Sequence, residues 1–374
     1  LAASSSHEEG VEVTIFWTAA HVAAISPSPI VIAPITDVDF SAVASDLAIW
    51  DAWPIQRRDG TPFAHAAGGE LWMALGAPRF DDPDARHGHA RIHLLRYENG
   101  IWSDLGPAMP DGFSPGSREW SGSAIADEAT ADVILYFTAA GQRSDNGLTF
   151  EQRMFSARAS LGDDGRLSDW RDLREVIPPA PDWYMATTGG GGIGTIKAFR
   201  DPAYFRDPAD GRHHLFFAGS MAGSMSAFNG VIGFATAPAD RPDEWTVKPP
   251  LIAADGVNNE LERPHVVHHK GRYYLFWSTQ AHVFNPEGPT GPTGLYGMVA
   301  DTLAGPWRPI NGSGLVFANP QETPAQSYSW MVLPDLRVTS FVDNWGGGTE
   351  RRFGGAFAPF VQLWLDGDSA GVVA

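Results

Sequence analysis

The sequence predicts an all-β protein, a five-bladed β-propeller with a central funnel-shaped site. Three observations lead there. Sustained helical periodicity is scarce after residue 25, a hairpin-like unit recurs five times, and 41 glycines and 29 prolines supply many turns. Copies of the unit start near residues 51, 121, 201, 262 and 329, at spacings of 70, 80, 61 and 67 residues. Each interval holds about four strands, the size of a propeller blade. A two-sheet sandwich is the competing architecture, because short strands with regular turns fit it too.

Residues 13–25 carry some helical character at Trp17, Ala20, His21 and Ala24, which predicts a short helix or lead-in ended by Ser26-Pro27-Ser28-Pro29. The first copy then runs Trp50-Asp51-Ala52-Trp53-Pro54-Ile55-Gln56, a loop around Asp59-Gly60, and Glu70 to Gly76. Trp120 to Ile125 followed by Val133 to Thr138 makes the second. Arg200 to Phe205, a turn at Asp210-Gly211, and His214 to Gly219 make the third. The fourth opens at Glu260-Leu261-Glu262-Arg263-Pro264, turns at Lys270-Gly271 and returns through an aromatic strand. A weaker fifth pairs Tyr328 to Leu333 with Arg337 to Val342. Further strands are expected between copies, such as Ala90 to Tyr97 before Asn99-Gly100 and Met154 to Ala159 before Gly162-Asp163. Residues 1–374 are read as one domain.

A hydrophobic fraction of 43% and 14 tryptophans are ample for a sizeable core. A net charge of −18 argues against nucleic acid or an anionic membrane as partner and fits a neutral ligand. Absence of cysteine excludes disulfides, thiolate metal sites and a cysteine nucleophile. No apolar run approaches the ~20 residues of a membrane helix. The chain opens Leu1-Ala2-Ala3-Ser4-Ser5-Ser6 rather than with methionine, so it is expected to be processed or trimmed, with any export signal not visible.

In a propeller the first strand of each blade lines the channel, so Asp51, Asp201 and Glu262 are expected to meet at three equivalent strand starts. Cleavage of a glycosidic bond commonly needs one carboxylic acid to protonate the leaving oxygen and one carboxylate to attack or to activate water. Each acid alone is as well explained as a turn or ion-pair residue; three in register point to chemistry. Glu260 and Glu262, two residues apart, would share one face of an extended strand. Trp50, Trp53 and Trp120 offer flat apolar faces to a sugar, and Arg200 and Arg263 offer forked donors.

Ile49-Trp50-Asp51-Ala52-Trp53-Pro54, Glu119-Trp120-Ser121-Gly122-Ser123-Ala124, Phe199-Arg200-Asp201-Pro202 and Glu260-Leu261-Glu262-Arg263-Pro264 occur in this order. With Trp17-Thr18-Ala19-Ala20 and Gln326-Ser327-Tyr328-Ser329-Trp330 near the ends, the chain resembles glycoside hydrolase family 68, the levansucrases, inulosucrases and bacterial β-fructofuranosidases. The resemblance implies a five-bladed propeller, a retaining mechanism on sucrose and no cofactor. It also implies a secreted bacterial protein, expected to be a monomer, whose partners are sucrose and fructosyl acceptors. By motif position it makes Asp51 the nucleophile, Glu262 the acid/base and Asp201 the stabiliser that holds fructose hydroxyls. Trp50, Trp120, Ser121, Arg200, Glu260 and Tyr328 would line the sugar subsites. His282 falls where Gram-negative-type members carry a histidine and others an arginine, on the acceptor side. Ser121 is expected to help keep Asp51 ionised, and Glu260 to tune Glu262 by like-charge repulsion. Retention predicts the Asp51 and Glu262 carboxyls about 5–5.5 Å apart.

Two positions depart from the family pattern. Ala52 stands where serine is common, and Asn259 stands where calcium-binding members have aspartate, which weakens the case for a structural calcium. No metal site is assigned. Gly189-Gly190-Gly191-Gly192-Ile193-Gly194-Thr195 lacks the Gly-Lys-Ser/Thr ending of a phosphate loop and reads as a mobile loop near Arg200. His87, His89 and His93 have loose metal-ligand spacing without an acidic or cysteine partner, and read as surface or strand-face residues. No Gly-x-Ser-x-Gly elbow surrounds Ser121, which disfavours a serine hydrolase. The rival readings are a β-fructofuranosidase whose main acceptor is water, and a sugar-binding propeller without catalysis.

Overall fold

A computed structural model describes residues 14–186, 196–348 and 350–373. A two-residue strand β1 (Ile15–Phe16) and a single-turn helix α1 (Ala19–Ala23) come first. Five antiparallel meanders follow. The first comprises β2 (Leu47–Gln56), β3 (Glu70–Pro78), β4 (Arg91–Glu98) and β5 (Ile101–Pro107), and the second β6 (Arg118–Asp127), β7 (Asp132–Ala140), β8 (Gln152–Leu161) and β9 (Leu167–Ile177). The third comprises β10 (Phe199–Arg206), β11 (His213–Ser220), β12 (Gly230–Ala237) and β13 (Thr246–Ala253). In the fourth, β14 (Glu262–His269), β15 (Arg272–Thr279) and β16 (Gly294–Ala300) pair in order, and β17 (Arg308–Pro309) and β18 (Leu315–Ala318) both pair with β16. β19 (Ser327–Val332), β20 (Arg337–Val342), β21 (Val361–Asp366) and β22 (Ser369–Val372) form the fifth.

All five expected hairpins are therefore present, and the sheets number four among the described residues, not the two of a sandwich. The first two meanders share one sheet through a two-residue parallel contact, Ile55 with Ala124 and Gln56 with Ile125. Turn chemistry accounts for the tightest reversals. Asn99-Gly100 (φ 51° and 82°) and Lys270-Gly271 (φ 49° and 77°) hold the two left-handed residues of a type I′ hairpin turn. The lead-in is only partly helical. Ile15 and Phe16 pair in parallel with Ile252 and Ala253, adding a strand to the third meander. Trp17 is then buried edge-on against Trp277, Phe284 and Tyr296, and its Nε1 donates to the Ser313 carbonyl at 2.8 Å. The glycine run 189–195 lies outside the described residues.

In the second meander the inner strands are buried and the outermost is not. Every residue of β7 is buried, whereas the outer strand β9 exposes two residues in three over most of its length. The first strands contact one another in the order β2, β6, β10, β14, β19 and again β2. Side-chain bonds fasten several of these contacts. Ser123 Oγ accepts from the Tyr204 N–H at 3.0 Å and donates to the Pro202 carbonyl at 2.9 Å, joining β6 to β10. His265 Nε2 accepts from the Val332 N–H at 2.8 Å, joining β14 to β19. Apolar side chains such as Trp53, Phe137, Phe317 and Trp330 fill the space between meanders.

One structural device recurs in all five first strands. Register slips by one residue between Trp50 and Trp53, Trp120 and Gly122, Arg200 and Ala203, Glu262 and His265, and Tyr328 and Met331. Each slip is a β-bulge, which re-aims side chains by inserting an unpaired residue. Asp51, Asp201, Arg263 and Ser329 sit in the bulges with φ of 49°, 64°, 49° and 62°. Left-handed backbone in a non-glycine residue costs about 1–3 kcal/mol, so four such residues are held there by their surroundings. Gly122, just past the second bulge, lies so close to the Tyr136 carbonyl that a Cβ would sit 1.9 Å from its oxygen.

The bulges correct the expected equivalence of the three acids. Arg263, not Glu262, aligns with Asp51, Ser121, Asp201 and Ser329, while Glu262 aligns with Trp50, Trp120, Arg200 and Tyr328. The offset arises because two consecutive bulge residues can both reach the funnel, so an acid at either position enters the same space. Nor do Glu260 and Glu262 share a strand face: β14 begins at Glu262, and the Glu260 N–H donates to Asn258 Oδ1 at 2.8 Å in the preceding loop.

Candidate active site

A cavity of about 350 Å³ opens where the five bulges converge. Its walls include Asp51, Asp201 and Glu262 together with Trp50, Trp120, Ser121, Arg200, Glu260, Arg263, His282 and Tyr328. Sequence-distant residues thus meet at one place. Trp53 does not. It is fully buried, with the Arg263 guanidinium 5.8 Å from its ring centre, so it is core rather than a sugar platform.

Asp51 and Glu262 are held by different partners. Ser121 Oγ donates to Asp51 Oδ2 at 2.9 Å. Glu262 accepts from Arg200 Nη2 on Oε1 at 2.6 Å and from the Tyr328 hydroxyl on Oε2. Arg200 is the hub: its Nη2 is 3.8 Å from Glu260 Oε1, its Nε is 3.7 Å from Asp201 Oδ2, and Nη1 donates to Gln152 Oε1 at 3.3 Å. Burial works against its charge, yet the Glu262, Glu260 and Asp201 carboxylates outweigh it and hold the guanidinium above its ordinary range. Arg263 is differently engaged. Its Nη1 donates to Ser329 Oγ at 3.0 Å and its Nη2 to the Ala52 carbonyl at 2.8 Å, so its fork ties the first, fourth and fifth meanders together.

The acids are not electrostatically alike. Burial pushes the Asp201 carboxyl up to about 7; the Arg200 charge opposes this, and the Glu262 and Asp51 charges reinforce it. Glu260 is pushed up first by burial and then by the charge of Glu262, with Arg200 opposing. The like-charge coupling expected between the two glutamates therefore favours the protonated form of Glu260. Tyr328 is held well above the usual phenol range by burial and by both glutamates, so its hydroxyl keeps its proton and donates.

Other walls were not read as site residues from the sequence. The 3₁₀ turn Pro83–Gly88 delivers Asp84, Arg86 and His87 to the cavity. Arg86 is buried with its guanidinium 5.3 Å from the Trp50 ring centre and 4.3 Å from that of Phe353. His87 meets Trp50 edge-on at 6.0 Å, and burial together with the Arg86 charge lowers its pKa to about 4. The three spaced histidines accordingly part company: His87 faces the cavity, His89 packs against Phe80 at 4.8 Å, and His93 does have an acidic partner, Asp104 Oδ1 at 3.0 Å from Nδ1. Phe150, Gln280, Asp343 and Arg351 complete the rim alongside the exposed His282. Asp82, whose side chain accepts from the Asp84 N–H, followed by Pro83 was the one local cue, and it marks a turn start rather than a site.

Asn259 meets a positive charge from the chain itself. Lys197 Nζ donates to Asn259 Oδ1 at 2.6 Å, to Asn229 Oδ1 at 2.8 Å and to the Ala227 carbonyl. Asn258 beside it is fully buried and exchanges hydrogen bonds with Thr279 Oγ1 at 2.9 and 3.1 Å. This network positions the loop that carries Glu260.

Comparison with known proteins agrees with the geometry. A family model described as levansucrase/invertase matches residues 7–230 and 224–374. The levansucrase LscC of Pseudomonas savastanoi pv. glycinea is 33% identical, covering 94% of this chain and 89% of its own. A levansucrase of Rahnella aquatilis is also 33% identical, over 94% of this chain and 92% of its own. Among solved structures, the inulosucrase of Halalkalicoccus jeotgali bound to kestose superposes with a TM-score of 0.88 at 34% identity, over 97% of this chain and 96% of that one. The chain belongs to glycoside hydrolase family 68, the levansucrase/invertase family.

Proposed function

We propose that the protein is a levansucrase-like fructosyltransferase, which cleaves sucrose with retention, releases glucose and passes the fructosyl unit to fructan, a small sugar or water. The observation that carries this reading is the meeting of Asp51, Asp201 and Glu262 in one cavity, with Ser121 on Asp51 and with Arg200 and Tyr328 on Glu262. Asp51, steadied through Oδ2, attacks the anomeric carbon of the fructosyl unit through its other oxygen. The bond to the glucosyl oxygen breaks as that oxygen takes a proton from Glu262. The acceptor hydroxyl then returns a proton to Glu262 as it displaces Asp51 and restores the original configuration. Asp201 binds fructosyl hydroxyls, Trp50 and Trp120 provide apolar faces, and Glu260, Arg200 and Tyr328 orient the glucosyl side. His282 at the rim meets the acceptor.

The chain would act as a single catalytic unit that closes as a five-bladed β-propeller. The support is the run of first-strand contacts from β2 through β19 and back to β2. The family, not the fold alone, supports a bacterial, secreted protein. Among the described residues no helix is long and apolar enough to cross a membrane. The test is incubation with sucrose, followed by separate assay of glucose and fructose and linkage analysis of the products. Glucose in excess of fructose is expected. Equal release would mean that water is the acceptor, and no release would overturn the proposal.

A further inference from the structure

We propose that Asp207, Asp210 and His214 bind one divalent first-row transition metal, best matched by Zn²⁺, at the hairpin joining β10 to β11. Each offers one ligand atom, and these atoms lie within 4.8 Å of one another. The hairpin itself brings them together: Asp207 follows β10, Asp210 sits in the turn beside Gly211 (φ 75°), and His214 is the second residue of β11.

His214 is the second, independent sign of a ligand. It is 5% exposed, and neither ring nitrogen has a hydrogen-bond partner. Its ring is fixed by stacking on Phe234, with centroids 5.3 Å apart at 8°. A buried polar atom without a partner is uncommon and costly, and a bound metal would engage one of these nitrogens. Asp207 is prepared in the same sense. Tyr273 donates its hydroxyl to Oδ1 at 2.6 Å and the Ala209 N–H donates to the same oxygen at 2.8 Å, which leaves Oδ2 to a cation. Arg212 Nε lies 3.5 Å from Asp210 Oδ2, but both side chains are about half exposed, so this pair competes weakly. One imidazole and two carboxylates, with water completing a tetrahedron, suit Zn²⁺; Ca²⁺ takes six to eight oxygens and Mg²⁺ an octahedron of them.

Asp207 lies six residues along the strand from Asp201, roughly 20 Å at strand rise, so the ion would brace the third meander and take no part in sugar chemistry. The site stands whether or not the proposed activity does. Metal-stripped, untagged protein is titrated with ZnCl₂ by calorimetry, and its thermal midpoint is followed with and without the ion. Expected are one Zn²⁺ per chain, a higher midpoint and unchanged sucrose turnover. Asp210→Asn, exposed and able to keep the Oδ1 contact with the Arg212 N–H at 2.9 Å, should weaken binding at least tenfold, and His214→Gln should abolish it. Absence of saturable binding, equal affinity in Asp210→Asn, or displacement of Zn²⁺ by equimolar Ca²⁺ would overturn the proposal. Should His214→Gln fail to fold, Asp210→Asn carries the test.

Discussion

Replacing Asp201 with asparagine probes the electrostatic frame of the site, because the carboxamide keeps the shape and removes the charge. The side chain is almost wholly buried, and burial moves its pKa from 3.8 to about 7. A carboxyl with a raised folded pKa binds more protons in the folded than in the unfolded state between those two values. The stability it contributes is therefore full below about pH 4 and is lost as pH rises through about 7. Three pH steps at about 1.4 kcal/mol each set a ceiling of about 4 kcal/mol on what ionised Asp201 costs at pH 8. The amide gives part of this back, since it cannot replace the charge that faces Arg200 Nε at 3.7 Å. A net stabilisation of about 2 kcal/mol remains, or a few degrees in the thermal midpoint. Both proteins are melted at pH 4.5 and pH 8, with sucrose turnover measured in parallel. The variant should be inactive, should melt above the parent at pH 8 and should lose that advantage at pH 4.5. A variant that melts lower at pH 8, or whose advantage is the same at both pH values, would refute the reasoning.

The remaining predictions concern other parts of the same frame. Asp51→Asn and Glu262→Gln should each leave circular dichroism unchanged and lower sucrose turnover on the order of a thousandfold or more; near-normal rates in either would remove that residue from its role. Ser121→Ala deletes the 2.9 Å donor to a charged acceptor, worth about 1.5–3 kcal/mol, so kcat/KM should fall roughly 10- to 100-fold. Lys197→Met strands three oxygens and should lower the thermal midpoint, with loss of about 1–3 kcal/mol read from urea unfolding. His282→Ala should change the ratio of free fructose to glucose while sucrose cleavage stays within a fewfold; an unchanged ratio would take it off the acceptor side.

The lead-in and the histidines show how far local reading reaches. Helical spacing at Trp17, Ala20 and Ala24 yielded a five-residue helix, but Ile15 and Phe16 became a strand because β13, some 240 residues later, offered an open edge. His87, His89 and His93 look alike in a row, yet a 3₁₀ turn, an aromatic contact and an aspartate on the neighbouring strand β5 separate their environments. Arg86 belongs to no repeat and no motif, and the loose spacing of His87 with His89 and His93 carries no sign that His87 packs beside Trp50.

Hairpins, turns and the three candidate acids were legible in the sequence alone. Alternation, glycine-bearing turns and ordered motifs are local properties, and each leaves a trace within a dozen residues. Tertiary structure decided which residue of each pair occupies a bulge, and hence that Arg263 rather than Glu262 is the counterpart of Asp51. A bulge is a property of two strands paired, not of one. Tertiary structure also decided where charge is tolerated. Asp201 and Glu260 are raised by burial beside like charges, while Arg200 gathers three carboxylates drawn from the third meander, the fourth meander and the loop between them. Desolvation and coulombic coupling depend on what packs around a group, and those neighbours lie more than sixty residues away in the chain for the Arg200 and Glu262 pair.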